Sequence, residues 1–170
     1  MHTALLTLHI AAGTIGLVAA LAALTARKRR GLHTVSGRVF GATVVVVAVT
    51  TYALLPFAPD MWWLGIVAAA TLAAVAAGVH LARRKPVPNW YRIHLVLMMS
   101  AVIAYVTPVA VQFADGNVLA WILPTVVGSP LITYRSLVAA GVLPAWHEAL
   151  MPWRKTRKRT AEERRQAARA

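Results

Sequence analysis

The sequence contains no cysteine and few acidic residues. The absence of cysteine excludes disulfide bonds, thiol catalysis, and metal or iron–sulfur sites with cysteine ligands. Only 14% of the residues are charged, whereas an ordinary soluble domain has roughly 25%. A Ser-His-Asp set, a catalytic pair of carboxylates and a glycine-rich phosphate loop are also missing. Nothing therefore indicates a hydrolase, a kinase or a nucleotide-binding protein.

Apolar residues are abundant instead, at 59% of the chain. Several apolar runs reach the ~18–20 residues needed to cross about 30 Å of hydrocarbon. Because backbone groups in lipid must be hydrogen-bonded within their own segment, runs of this length predict helices rather than barrel strands. We predict an all-α fold, a transmembrane helical bundle of five spans. The predicted spans cover residues 3–25, 39–57, 61–82, 93–113 and 118–140.

The first apolar run is predicted to be a retained span rather than a signal peptide. It has no basic segment before it, and it is longer than the apolar core of a typical signal peptide. It also continues directly into a basic cluster, as a membrane span does.

The eighteen Lys and Arg residues all fall on one side of a five-span chain. Five lie in residues 27–38, four in 83–92 and nine from 135 onward. The opposite side carries only Asp60 and Asp115. The positive-inside rule then predicts an outside N-terminus, a cytoplasmic C-terminus and location in the inner (plasma) membrane. This placement also explains the net charge of +13 without nucleic-acid binding.

Two regions follow from this topology, a transmembrane domain in residues 1–140 and a tail in residues 141–170. The tail begins with an aromatic segment, Trp146 to Trp153, that predicts an interfacial position. The segment from Arg154 to Ala170 is polybasic and is expected to attract anionic lipid, at about 1 kcal/mol per cation. The expected partners are therefore the lipid bilayer and its anionic lipids.

The first four spans form a weak internal repeat of two hairpins. Each hairpin passes through a basic loop and re-enters the membrane close to an arginine and a histidine, Arg38 with His33 and then Arg92 with His94. The pattern predicts a four-helix core to which the fifth helix is an addition. The spacing of Gly37 and Gly41 favours close helix packing within the chain, with a homo-oligomer seam as the alternative.

Histidines are the main candidates for chemistry, because an ionisable residue inside a membrane marks a functional site by default. His80 precedes Arg83 by three residues and His94 follows Arg92 by two. They are therefore predicted at equal depth on sequential helices, as the best-matched pair for a b-type haem. His33 is expected nearer to water, and His9 in the outer half, near a quinone or haem. The alternative is that these histidines only bond to hydroxyls, carbonyls or lipid headgroups.

Prolines mark the last two spans, with Pro108 in the fourth and Pro124 and Pro130 in the fifth. Each removes a helical hydrogen bond and favours a kink. Kinks here could shape a polar pocket in the outer half, or they could only bend the helices. The candidate pocket residues include Tyr105, Thr107 and Gln112.

Three short motifs resemble those of a bacterial family of polytopic membrane proteins, a domain of unknown function. The motifs are His9-x3-Gly13, His33-x3-Gly37-Arg38 and His94-x3-Met98, within residues 5–113. The resemblance implies that His9, His33 and His94 are the positions to test. This chain departs from the pattern at the outer end of the fourth span, where Gln112 and Asp115 replace an expected cation.

The sequence therefore predicts a polytopic membrane protein and favours a haem- or quinone-associated redox subunit. A transporter for small molecules or ions is one alternative, motivated by the proline-containing spans. A non-catalytic scaffold subunit that meets a membrane partner through its basic tail is the other. Nothing in the sequence decides whether the protein is an enzyme.

Overall fold

Five long α-helices joined by short turns make up residues 2–26 and 31–143, the part of the chain that the computed structural model describes. No strand occurs within this part. All five helices are long and apolar enough to cross a membrane, which confirms the predicted all-α fold and the number of candidate spans. The helices are α1 His2–Thr25, α2 Leu32–Leu54, α3 Trp63–Arg84, α4 Trp90–Phe113 and α5 Val118–Ala139.

Helix α2 begins at Leu32, seven residues before the predicted start of the second span at residue 39. The break before it is Gly31, whose φ of 130° is accessible to glycine and strained for other residues. The Gly31 carbonyl accepts from the amides of Thr34 and Val35, so the helix begins immediately afterward. His33 therefore lies in the first turn of α2 rather than in the loop.

The turn residues explain where the other helices stop. Two 3-10 turns, Leu55–Phe57 and Pro59–Met61, connect α2 to α3, and each has a proline in its first two positions. Between α4 and α5, Gly116 adopts a φ of 79° that favours glycine. Asn117 then caps α5, because its side chain accepts from the amide of Leu119 at 2.9 Å.

Successive helices run antiparallel, so the charged residues separate between two ends of the bundle. The described cations share one end, here named the basic end: Arg38, Arg83, Arg84, Lys85, Arg92 and Arg135. Asp60 and Asp115 lie in turns at the opposite end, named the acidic end. Charge segregation thus holds across the described residues. The orientation of these ends in a membrane is still a prediction from the charges.

Four of the helices share one apolar core, and α5 packs outside it against α4. Small side chains of α1 and α4 let these helices approach the aromatic and β-branched residues of the others. Many large apolar side chains point outward along all five helices, as expected where lipid is the solvent. The core cluster consists of Ala19, Ala20, Phe40, Val44, Val75, Ala101 and Tyr105.

The glycines divide into two classes that their spacing does not distinguish. A Cβ at Gly16 would overlap the Tyr105 hydroxyl, so this glycine permits a tight contact between α1 and α4. A Cβ at Gly37 would meet no described atom within 4 Å. A Cβ at Gly41 would lie 3.8 Å from Val75 Cγ1, an ordinary contact. The expected close helix packing at Gly37 and Gly41 is therefore not what the fold does there.

Candidate functional site

A cavity of about 990 Å³ lies between the helices toward the basic end of the bundle. All five helices contribute to its wall. This volume is at the upper end of the range for small-molecule and cofactor sites, about 300–1,000 Å³. Most of the wall is apolar, and the charged residues lie close to the ends of the helices. The cavity is thus an amphipathic chamber with one cationic side.

Two of the predicted histidines, His33 and His94, line this cavity. His33 Nδ1 lies 2.8 Å from the carbonyl oxygen of Ala23 on α1. His94 Nδ1 lies 2.7 Å from the carbonyl oxygen of Gly78 on α3. In each hairpin, therefore, a histidine near the start of the second helix bonds to the backbone of the first. The predicted hairpin repeat has a counterpart in these two contacts.

These hydrogen bonds fix the tautomer of both imidazoles. A carbonyl oxygen can only accept, so Nδ1 must carry the proton and donate it. In the neutral ring the lone pair then resides on Nε2. A backbone carbonyl that holds Nδ1–H in this way is the usual outer support of a histidine that ligates a metal through Nε2. His94 makes a further interaction besides this bond.

Three arginines, Arg38, Arg83 and Arg135, line the same cavity from α2, α3 and α5. No carboxylate of the described residues lies at this end, since Asp60 and Asp115 are both at the acidic end. Three like charges around one apolar chamber favour an anionic occupant. Guanidinium groups suit carboxylates and phosphates best, because their planar donors can bind two oxygens at once.

Gly37 and Gly41 form a bare stretch of the cavity wall on α2. Since neither glycine is closely opposed by another helix, the missing side chains leave space that a flat ligand can use. Phe40 closes the wall between them and is 1% exposed. Met98 of α4 lines the cavity too, and a Cβ at Gly78 would lie only 2.9 Å from its sulfur.

His80 does not share this site. Its side chain is exposed, whereas His94 is partly buried and bonds to the Gly78 carbonyl on the side of α3 that faces α4. Two residues along a helix correspond to a rotation of about 200°, so His80 projects to nearly the opposite side from Gly78. The structure does not bring the predicted pair His80 and His94 together.

His9 belongs to a different environment nearer the acidic end. Its Nδ1 lies 2.8 Å from the hydroxyl of Thr50 on α2. That hydroxyl in turn donates to the carbonyls of Val46 and Val47 at 2.8 and 3.0 Å. Because the single hydroxyl proton of Thr50 is already donated to these carbonyls, His9 Nδ1–H is the donor to the threonine oxygen. His9 is thus integrated into the packing of α1 against α2.

The predicted polar pocket of Tyr105, Thr107 and Gln112 is not formed. Tyr105 is 8% exposed and points into the core, where its hydroxyl donates to the Ala12 carbonyl at 3.3 Å. Thr107 lies on the other side of α4, in a smaller pocket of about 370 Å³ beside α3 and α5. Gln112 is exposed near the acidic end. Two residues apart on α4 means opposite sides, which separates Tyr105 from Thr107.

One contributor to the basic-end site, Arg135, was not among the residues predicted from the sequence. Arg135 supplies a cation from the added helix α5, and its neighbour Ser136 accepts from Arg92 Nε at 2.7 Å, which ties α5 to α4. Its signal in the sequence is the single arginine near the end of an otherwise apolar span. Within the described ranges, no group of three or more His, Cys, Asp or Glu residues is placed to hold a metal ion.

The tail predictions lie almost entirely outside the described residues, which end at residue 143. The same applies to the basic loop from Arg27 to Arg30. No family model matches the chain, and no curated protein or solved structure matches it either. The geometry of the basic-end cavity is therefore what bears on function.

Proposed function

We propose that this membrane protein is a redox subunit that binds a b-type haem in the basic-end cavity, where His33 and His94 would hold its iron. The observation that carries the proposal is the cavity and the kind of hydrogen bond that these two imidazoles share. Both line one cavity, and both donate Nδ1–H to a backbone carbonyl of the neighbouring helix. The lone pair of each neutral ring is then on Nε2, the atom that ligates iron from facing helices.

The remaining residues of the cavity fit the other parts of a haem. Its apolar wall and its volume suit a macrocycle, and the bare stretch at Gly37 and Gly41 leaves space for a flat ring. A b-type haem carries two propionate groups. The guanidinium groups of Arg38, Arg83 and Arg135 are the cations available to pair with them.

The motif resemblance supports the same pair of residues. His33, Gly37 and Arg38 come from one motif and His94 and Met98 from another, and all five line the cavity. The third motif, with His9, contributes nothing to this wall. If the charge-based orientation is right, the haem would lie in the cytoplasmic half of the membrane.

Bound haem supplies one-electron redox chemistry, and the protein supplies ligation, burial and charge. His33 and His94 would hold the ring between the two hairpins through backbone-supported imidazoles. The apolar wall would keep water away from it, and the arginines would neutralise its propionates. Axial ligation and local charge are the factors that set a haem potential in proteins.

The test is an absorption spectrum of the protein purified in detergent after expression with haem supplied. We expect a Soret band, and reduced-minus-oxidised bands typical of low-spin haem with two nitrogen ligands. His33→Ala and His94→Ala should each lose the low-spin spectrum. His80→Ala is the matched control and should retain it, because His80 is exposed and lies off the cavity. Wild-type protein without a Soret band, or a spectrum indifferent to both cavity variants, would refute the proposal.

A second candidate follows from the three arginines alone. An anionic lipid could place its headgroup at Arg38, Arg83 and Arg135 and its acyl chains along the apolar wall. In that case the purified protein would contain no haem but would retain phospholipid. Mass spectrometry of the bound lipids would show their loss in Arg38→Ala and no change in His33→Ala.

A further inference from the structure

A second, smaller pocket of about 370 Å³ lies between α3, α4 and α5. It is separate from the basic-end cavity, and none of the residues lining one lines the other. Its wall combines two tryptophans with four side-chain hydroxyls, those of Ser100, Thr107, Thr125 and Ser129. A concentration of hydroxyls beside α5, whose outer surface is largely apolar, indicates a site for a polar group delivered from lipid.

Three of these hydroxyls, those of Ser100, Thr125 and Ser129, lack the bond that serines and threonines usually make within a helix. Such residues commonly donate to a carbonyl three or four positions earlier, as Thr107 does to Ile103 at 2.9 Å. Within the described part of the chain, Ser100 of α4 makes no such bond, and neither do Thr125 and Ser129 of α5. Both are exposed toward the pocket side of α5. In hydrocarbon no water replaces the missing partner, so both hydroxyls are available as donors to a ligand.

The pocket also offers a hydrogen-bond acceptor. Pro108 lies inside α4 and has no amide hydrogen. The carbonyl of Ala104, four residues earlier, therefore lacks its usual helical donor. Ala104 and Pro108 both line the pocket. A ligand bound here can accept from the hydroxyls of α5 and donate to a carbonyl of α4.

An aromatic pair closes the pocket toward the acidic end. The rings of Trp63 and Trp121 lie 4.6 Å apart at an interplanar angle of 68°. Tryptophan rings near the ends of membrane helices occupy the interface between lipid and water. A planar ring that enters the pocket would contact these indoles, while an apolar tail could leave toward lipid.

We propose that this pocket binds the head group of a membrane quinone. The oxidised ring would accept hydrogen bonds from Thr125 and Ser129, and the reduced ring would donate one to the Ala104 carbonyl. The choice of a quinone rests on the proposed redox function, because a quinone is the lipid-soluble electron carrier that a haem subunit would use. It relocates the expected quinone contact from His9, which bonds to Thr50, to α4 and α5.

The test is a titration of the protein in lipid nanodiscs with a short-chain benzoquinone, followed by quenching of tryptophan fluorescence. We expect saturable quenching in the wild type. The double variant Thr125→Val/Ser129→Ala should raise the dissociation constant about tenfold, through the loss of two hydrogen bonds. Thr133→Val is the matched control, because Thr133 is exposed on α5 and does not line the pocket. It should bind as the wild type does.

A second variant, Ala104→Phe, fills the pocket without removing a hydroxyl and should abolish the saturable phase. Quenching that rises linearly with quinone, or that is equal in all four proteins, would overturn the assignment. Binding does not require haem, so the two proposals fail separately. Saturable quinone binding without a Soret band would remove the haem site alone, and a haem spectrum without saturable binding would remove this pocket alone.

Discussion

The two ends of the helical bundle treat histidine in different ways. Toward the acidic end, His9 bonds to the side chain of Thr50, and Gly16 lets α1 pack tightly against Tyr105. Toward the basic end, His33 and His94 bond to backbone carbonyls, and Gly37 of α2 borders open space. In the first arrangement, His9 and Thr50 bond to each other within the packing of α1 against α2. In the second, His33 and His94 line a cavity.

This difference shows that burial alone does not identify a functional histidine. All three imidazoles are partly buried in helices of similar composition. What separates them is the partner atom, which is a side-chain hydroxyl for His9 and a backbone carbonyl for His33 and His94. Of the three, only His33 and His94 line the basic-end cavity.

The largest expected effect concerns Gly16 and Gly37. Gly16→Ala should destabilise the protein by about 1–3 kcal/mol, because the new Cβ would overlap the Tyr105 hydroxyl and force a shift. Gly37→Ala meets no described atom within 4 Å and should leave the stability unchanged or slightly higher. Unfolding in mixed micelles measures both. Equal losses in the two variants would contradict the contrast between a closed and an open end.

The next effect separates the arginines that line the cavity from those that do not. Arg38→Ala should weaken haem binding about tenfold, the value expected for the loss of one charge-assisted hydrogen bond. Arg84→Ala is the control, because Arg84 is exposed at the same end and does not line the cavity. Haem titration of the two purified apoproteins gives the comparison. Similar affinities would mean that net charge, rather than the cavity, attracts the ligand.

A smaller effect is expected from the structural histidine. His9→Ala and Thr50→Val should each cost about 0.5–1.5 kcal/mol of stability, and the double variant should cost less than their sum because they share one hydrogen bond. Their haem spectra should match the wild type. A spectrum altered by His9→Ala would place His9 in the redox site and remove the distinction between the two ends.

The smallest effect involves the attachment of α5. Ser136→Ala removes the acceptor of Arg92 Nε and should cost about 0.5–1 kcal/mol, because Arg92 itself is exposed. Stability measured beside a Thr133→Val control gives the net value. A loss as large as that of Gly16→Ala would show that α5 is integral to the core rather than packed on α4.

The helices and the separation of charge could be predicted because lipid imposes simple rules on length and on cation placement. The five apolar runs form five helices, and the described arginines lie together at one end of the bundle, as predicted. The start of α2 could not be predicted, because the length rule for a span covers only the part of a helix that lies in hydrocarbon. Helix α2 begins earlier, at Leu32, directly after Gly31.

The faces of the helices could not be predicted, and that is why the predicted pair, His80 and His94, does not share one cavity. In a membrane helix both the lipid side and the core side are apolar, so no periodic pattern shows which way His80 points. Of the predicted histidines, the structure places His33 and His94 on one cavity and leaves the exposed His80 off it. The spacing of Gly37 and Gly41 likewise indicated a closely packed helix, and it could not show that Gly37 borders open space.

The most direct test of the account is a haem titration of purified apoprotein, wild type beside Gly37→Leu. The variant keeps both histidines and all three arginines and only fills the bare wall of the cavity. We predict equimolar saturation with a low-spin spectrum in the wild type and an affinity at least about tenfold weaker in Gly37→Leu. Identical titrations of the two proteins, or a wild type that never saturates, would contradict the claim that this cavity is the haem site.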